Sequence, residues 1–78
     1  MHYVYILKCT DTKLYVGQSK NLKERFQRHI NGYVPATKAR RPLELVHYSA
    51  FREQFKAIEF EKYLKSGSGR AFTKRHLI

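Results

Sequence analysis

Residues 2–8, His-Tyr-Val-Tyr-Ile-Leu-Lys, carry apolar or aromatic side chains on both faces of an alternating pattern. Tyr3, Tyr5 and Leu7 fall on one side, Val4 and Ile6 on the other. A strand of that kind needs cover on both faces, which predicts a central place in a sheet with layers above and below it. The demand is severe for a chain of 78 residues. A domain of that length buries only about 60–65% of the surface its unfolded form exposes. Six Tyr and five Phe within a composition 42% hydrophobic make a single compact core attainable.

The elements follow in a readable order. Cys9 to Lys13 supplies turn chemistry and Leu14-Tyr15-Val16-Gly17 reads as the returning strand, giving a hairpin with a loop of about five residues. Asn21 is a good helix N-cap, with Glu24 placed to complete a capping box. Leu22, Phe26 and Ile30 form the apolar stripe of that helix, and Gly32 ends it. Residues 33–42 read as a loop closed by Pro42, and Leu43 to Phe51 as a third strand. A second helix runs from Arg52 to Ser66. Ser-Gly-Ser-Gly at 66–69 follows a helix and lacks the strand context of a phosphate loop, so it reads as a helix stop and flexible connector. A short last helix spans Ala71 to Leu77. The expected class is α+β: a small, mostly antiparallel three-stranded sheet flanked by helices in the order β-β-α-β-α-α, one domain over residues 1–78.

Sixteen Lys and Arg against six Asp and Glu leave a net charge of +10. Such an excess attracts polyanions, nucleic acid or an anionic membrane surface. The basic residues are spread among aromatics and do not form a like-charge block, which argues against a disordered tail. Cys9 is the one cysteine, so no internal disulfide or multi-cysteine zinc site can form. No apolar run reaches membrane-spanning length and the N-terminus lacks a secretory signal pattern. The expectation is a cytoplasmic protein.

Four side chains stand out for chemistry. At 100° per residue, Arg25 points about 60° from Leu22 and His29 about 20° from it. Both therefore lie on or beside the inward face of their helix. An arginine turned inward meets an anion or suffers desolvation. Its planar fork suits phosphate oxygens, although a carboxylate partner would also satisfy it. His29 fits a general base or a hydrogen-bonding orienter, although a lone histidine on an apolar face is more often a satisfied core residue. Tyr3, Tyr5 and Tyr15 lie on adjacent strands, where a phenol either fills the core or positions a water or phosphate. On the second helix Glu61 is three or four residues from Ala57, Ile58, Leu64 and Lys65, whereas Glu59 sits between lysines 56 and 62. Glu61 is thus the inward acid, a candidate Mg²⁺ ligand or one half of a helix pair with Lys65.

Taken together, Tyr3-Val4-Tyr5, Tyr15-Val16-Gly17, the stretch Gln18 to Phe26 carrying Arg25, and Ala57 to Lys65 carrying Glu61 resemble the GIY-YIG nuclease family. The likeness runs from Tyr3 to about Lys74 and is nearest to small single-domain bacterial members related to the nuclease domain of the excision-repair endonuclease. It implies hydrolysis of DNA phosphodiester bonds by a one-metal mechanism. Glu61 would hold Mg²⁺ or Mn²⁺ and Arg25 would neutralise charge on the phosphoryl group. Tyr15 would position or deprotonate the attacking water, with Tyr5 and His29 completing the pocket. Free phenols titrate near ~10 and are poor bases at neutral pH, so Arg25, the metal or His29 must assist.

Two departures from the family pattern bear on this. Gln18 stands where the excision nuclease has a lysine, and Thr73 or nothing stands for a late asparagine. No appended domain supplies selectivity, which leaves room for a protein partner. The same fold also suits a catalytically silent basic DNA- or RNA-binding adaptor, or an RNA-binding protein whose tyrosines stack bases.

Overall fold

A computed structural model describes residues 1–78. Its middle strand is β1 (His2–Lys8), paired antiparallel to β2 (Leu14–Ser19) on one side and to β3 (Glu44–Phe51) on the other. The two-faced apolar pattern of β1 is what places it there. Val4 and Ile6 are fully buried against Ala57 and Leu64 of α3 (Gln54–Lys65). Phe72 and Leu77, from α4 (Gly67–His76) and its end, close the same core. Each such aliphatic side chain contributes about 1.5–3 kcal/mol on full burial. Tyr5 and Leu7 are as deeply buried on the opposite face, the face on which α1 (Leu22–Ile30) lies.

Local chemistry fixes α1 at both ends. Asn21 Oδ1 accepts the Glu24 N–H at 3.1 Å, the expected half of a capping box. The other half is replaced: the Asn21 N–H donates to Ser19 Oγ at 3.1 Å, so the last residue of β2 shares in the cap. At the C-terminal end Gly32 takes φ +78°. Its N–H donates to His29 O at 3.1 Å while the Tyr33 N–H donates to Arg28 O at 2.9 Å. This reversal satisfies carbonyls that the helix would otherwise orphan, in the geometry glycine favours.

Four expectations need correction. Ile30 does not join the buried stripe. It is 42% exposed while His29 is 0% exposed, because a 100° step puts Ile30 about 80° from Leu22 and His29 only about 20° away. β2 continues past Gly17 to Ser19, since the ladder carries on through Val4 opposite Gln18 and Tyr3 opposite Ser19. The segment 33–42 is not all loop: α2 (Pro35–Lys38) forms within it, with Pro35 at the first helical position and Thr37 buried. Proline is pre-organised for that position and its missing N–H costs nothing there.

The Ser-Gly-Ser-Gly run is not a flexible connector. Ser66 Oγ accepts the Gly69 N–H at 3.1 Å and starts α4 directly at Gly67. Ser66 Oγ also donates to Tyr63 O at 2.6 Å, tying the end of α3 to the start of α4. Gly69 permits this sharp junction, because a Cβ there would strike the Tyr63 carbonyl oxygen and lie 2.6 Å from Leu64 Cα. In an open helix Gly→Ala would stabilise by about 1 kcal/mol. Here the sign reverses. Gly69→Ala is predicted to destabilise by about 1–3 kcal/mol, the range for overpacking against atoms that cannot yield. Urea denaturation of the variant checks this, and a gain in stability would contradict the close-approach account.

Candidate active site

The tyrosine face of the sheet and α1 enclose a buried polar chain. Tyr5 is paired across the ladder with Gly17. A Cβ at position 17 would strike the Tyr5 hydroxyl and lie 2.6 Å from its Cζ. The phenol therefore lies flat over β2 in space that only glycine leaves. It reaches His29, with 2.8 Å between the Tyr5 hydroxyl and Nε2. The other ring nitrogen, Nδ1, is 2.7 Å from Thr37 Oγ1 on α2. His29 and Thr37 are both 0% exposed. Tyr15 adds its ring against His29 with centroids 5.2 Å apart.

Arg25 sits one helical turn before His29 and lies against the Tyr5 and Tyr15 hydroxyls. The neighbouring Tyr5 phenol, more than any other group, holds the guanidinium charged. The ion pairs of the molecule are Arg40–Asp11 and Lys65–Glu61, so Arg25 has no carboxylate partner. Its buried Nε has no hydrogen-bond acceptor at all. The salt-bridge alternative for this arginine is thereby removed.

The contacts to Tyr5 and Thr37 occupy both ring nitrogens of His29, one as donor and one as acceptor in a neutral imidazole. Both charge shifts agree with this neutral arrangement. Burial pushes the Tyr5 phenol up, against the opposing pull of Arg25. Burial, then the Arg25 charge, pulls His29 down to about 4.

Glu61 occupies the other side of β2. Gln18 alternates onto the Val4 and Ile6 face, where α3 packs, and its Nε2 donates to Glu61 Oε1 at 2.6 Å. Lys65 Nζ donates to Oε2 at 3.0 Å. Of the six acids Glu61 alone is not exposed. Its charge is felt at Tyr5 and adds to the rise of that phenol. β2 is an edge strand, and Glu61 bonds Gln18 on its α3 face while Arg25 lies near Tyr15 of the same strand. No three His, Cys, Asp or Glu side chains cluster as a ready-made metal cage.

Tyr5, Tyr15, Arg25 and His29, expected together from the sequence, are brought together on one face, while Glu61 lies apart on the α3 side, bonded to Gln18 and Lys65. His29 pairs with Tyr5 and not with Tyr15. Thr37 escaped the sequence reading because residues 33–42 look like loop, although Pro35 at a helix start was the available signal. Thr73, the position weighed for a late asparagine, donates its hydroxyl to Gly69 O at 2.8 Å within α4 and is not turned to Glu61.

Comparison with known proteins places the chain and its fold. A family model described as the GIY-YIG catalytic domain matches residues 1–75. A UPF0213 protein of Staphylococcus saprophyticus is 40% identical over 68 residues, covering 86% of this chain and 83% of its own length. A UPF0213 protein of Clostridium perfringens is 42% identical over 66 residues, covering 83% and 71%. The solution NMR structure of a UPF0213 protein from Bacillus halodurans superposes with a TM-score of 0.61 at 33% identity, over 95% of this chain and 80% of that one.

The depressed His29 pKa has a consequence for stability. Between about pH 6.5 and about 4 the unfolded chain takes up a proton that the folded chain refuses. Folding stability is therefore full above about 6.5 and falls as pH drops toward about 4, by at most about 3 kcal/mol. Asp11, held below the usual carboxylate range by Arg40, titrates at lower pH. Denaturant midpoints measured across this window are predicted to decline in the wild type and to flatten in His29→Gln. Equal slopes in both would contradict a buried neutral His29.

Proposed function

The chain belongs to the GIY-YIG family, within its small UPF0213 group; on that footing we propose that it is an endonuclease that hydrolyses DNA phosphodiester bonds with Mg²⁺ or Mn²⁺. The observation that carries this is Arg25: a guanidinium turned toward the sheet, walled by two phenols, with no carboxylate to meet it. A phosphodiester placed at the edge of β2 supplies the missing anion, and the fork geometry suits its oxygens.

Arg25 neutralises charge that builds on the phosphoryl oxygens during attack, where a fixed cation needs no reorganisation. Tyr5 and His29 act from beneath. Both are buried and both are already bonded to neighbours. Their work is to hold the guanidinium, with Thr37 fixing the tautomer. Tyr15 is only half-buried and lies against the same guanidinium. It faces the substrate side and orients the attacking water. Position is worth several powers of ten in such reactions.

Glu61 fits a cation shared with the substrate. Mg²⁺ uses one or two carboxylates and completes its shell with waters and phosphate oxygens, and Glu61 is the single inward acid. Bound there, the cation would polarise the phosphate and stabilise the leaving oxygen. Gln18 and Lys65 now hold both carboxylate oxygens, so cation binding competes with them. That occupancy favours one alternative, a basic nucleic-acid-binding protein without catalysis.

Metal-dependent cutting of labelled single-stranded, duplex and branched DNA separates the two. Glu61→Ala is predicted to abolish turnover while DNA affinity stays. Tyr5→Phe is predicted to lower the single-turnover rate by about 10²–10⁴, as the loss of a pre-organised Arg25 would. Robust cutting by both Glu61→Ala and Arg25→Ala would refute the site. Intact binding with no cutting of any substrate would favour the silent alternative.

A further inference from the structure

A second feature on the tyrosine face is not used by the site above. Between α1 and β3 lies a cleft of about 480 Å³. Tyr48 is 54% exposed at its edge. Tyr3 stands edge-on to it, with ring centroids 6.3 Å apart and planes at 60°. Leu22 and Phe26 line the cleft from the α1 side, and Lys20 and Lys23 are exposed around it without carboxylate partners. Tyr48 thus presents an aromatic ring to solvent across a cleft from two unpaired lysines.

Its position is informative. Tyr3 is two residues from Tyr5 on the same face of β1, roughly 7 Å away. Leu22 and Phe26 flank Arg25 on the inward side of α1. The cleft therefore lies on the same sheet face as Tyr5, beside the helix that carries Arg25. We propose that this cleft takes an unpaired nucleobase of the bound strand, stacked on Tyr48 and Tyr3, with Lys20 and Lys23 on neighbouring phosphates. Aromatic faces with a cationic surround are the combination that binds an unstacked strand, because every base has a π-face and every link a charge. A duplex keeps its bases stacked and paired, and cannot fill the cleft without releasing one. The proposal rests on the nucleic-acid reading of the site, though not on catalysis or metal.

The test is fluorescence anisotropy of a labelled 12-nucleotide DNA strand in EDTA, where cutting is suppressed, beside the same strand made wholly abasic. Wild type is expected to bind the base-bearing strand at least about 5-fold more tightly, since one stacked base contributes about 5- to 150-fold. Tyr48→Ala is expected to erase that preference and leave abasic binding unchanged, while Tyr48→Phe retains it. Replacing Lys20 or Lys23 with Gln is expected to weaken both strands and reduce the salt slope by about 0.7 each. Equal wild-type affinity for the two strands would overturn the proposal, as would a Tyr48→Ala loss shared equally by both. Absence of binding to either strand would overturn the nucleic-acid reading itself along with it. Tyr48 is exposed, so thermal melting serves to confirm that its variants fold.

Discussion

A hydrogen bond between the Tyr5 hydroxyl and His29 Nε2, 2.8 Å long and closed off from water, governs the site. It is made across Gly17, whose missing side chain is the space the phenol occupies. On one side it continues through Nδ1 to Thr37 on α2. On the other the phenol oxygen faces Arg25 on α1. A central strand, an edge strand and two helices are thereby joined through one polar chain. Buried polar groups are tolerated only when every donor and acceptor finds a partner. Here Tyr5, His29 and Thr37 each have a partner, and the exception is the buried Arg25 Nε.

Neutrality is the condition for this arrangement. Burial and the adjacent Arg25 charge hold His29 near 4, so the imidazole remains a neutral relay of hydrogen bonds at physiological pH. A charged His29 would both repel Arg25 and lose its acceptor nitrogen. The chain therefore acts through orientation. In the proposed nuclease the charge for phosphate would stay on Arg25, while Glu61, the one inward carboxylate, is bonded instead to Gln18 and Lys65.

Much of this was legible from residue order. The two-faced pattern of Tyr3 to Leu7 placed β1 in the middle of the sheet, and helical phase put Arg25 and His29 inward and chose Glu61 over Glu59. Less visible were interactions between distant segments. Nothing local says that Tyr5 reaches His29 in preference to Tyr15; that follows from Gly17 standing opposite Tyr5 in the ladder. Thr37 was hidden in a stretch judged by its turn residues, where one helical turn forms because Val34 and Thr37 are buried. The serine and glycine run at 66–69 was misjudged for a similar reason. Its glycines look flexible, yet Gly69 is fixed by the backbone of Tyr63 and Leu64 pressing against it. Likewise Gln18, seen in the sequence as a departure from a lysine, is the residue that reaches Glu61.

The most direct test of this dependence is the single-turnover cleavage rate of Gly17→Ala at saturating DNA and Mg²⁺. The added methyl would strike the Tyr5 hydroxyl and displace it from His29, loosening the support of Arg25 while leaving the Arg25, Tyr15 and Glu61 side chains chemically unchanged. The account predicts a folded protein that binds DNA as before and cuts it about 10²–10⁴ times more slowly, the scale of a lost positioning and electrostatic contribution. A rate equal to that of the wild type would contradict it.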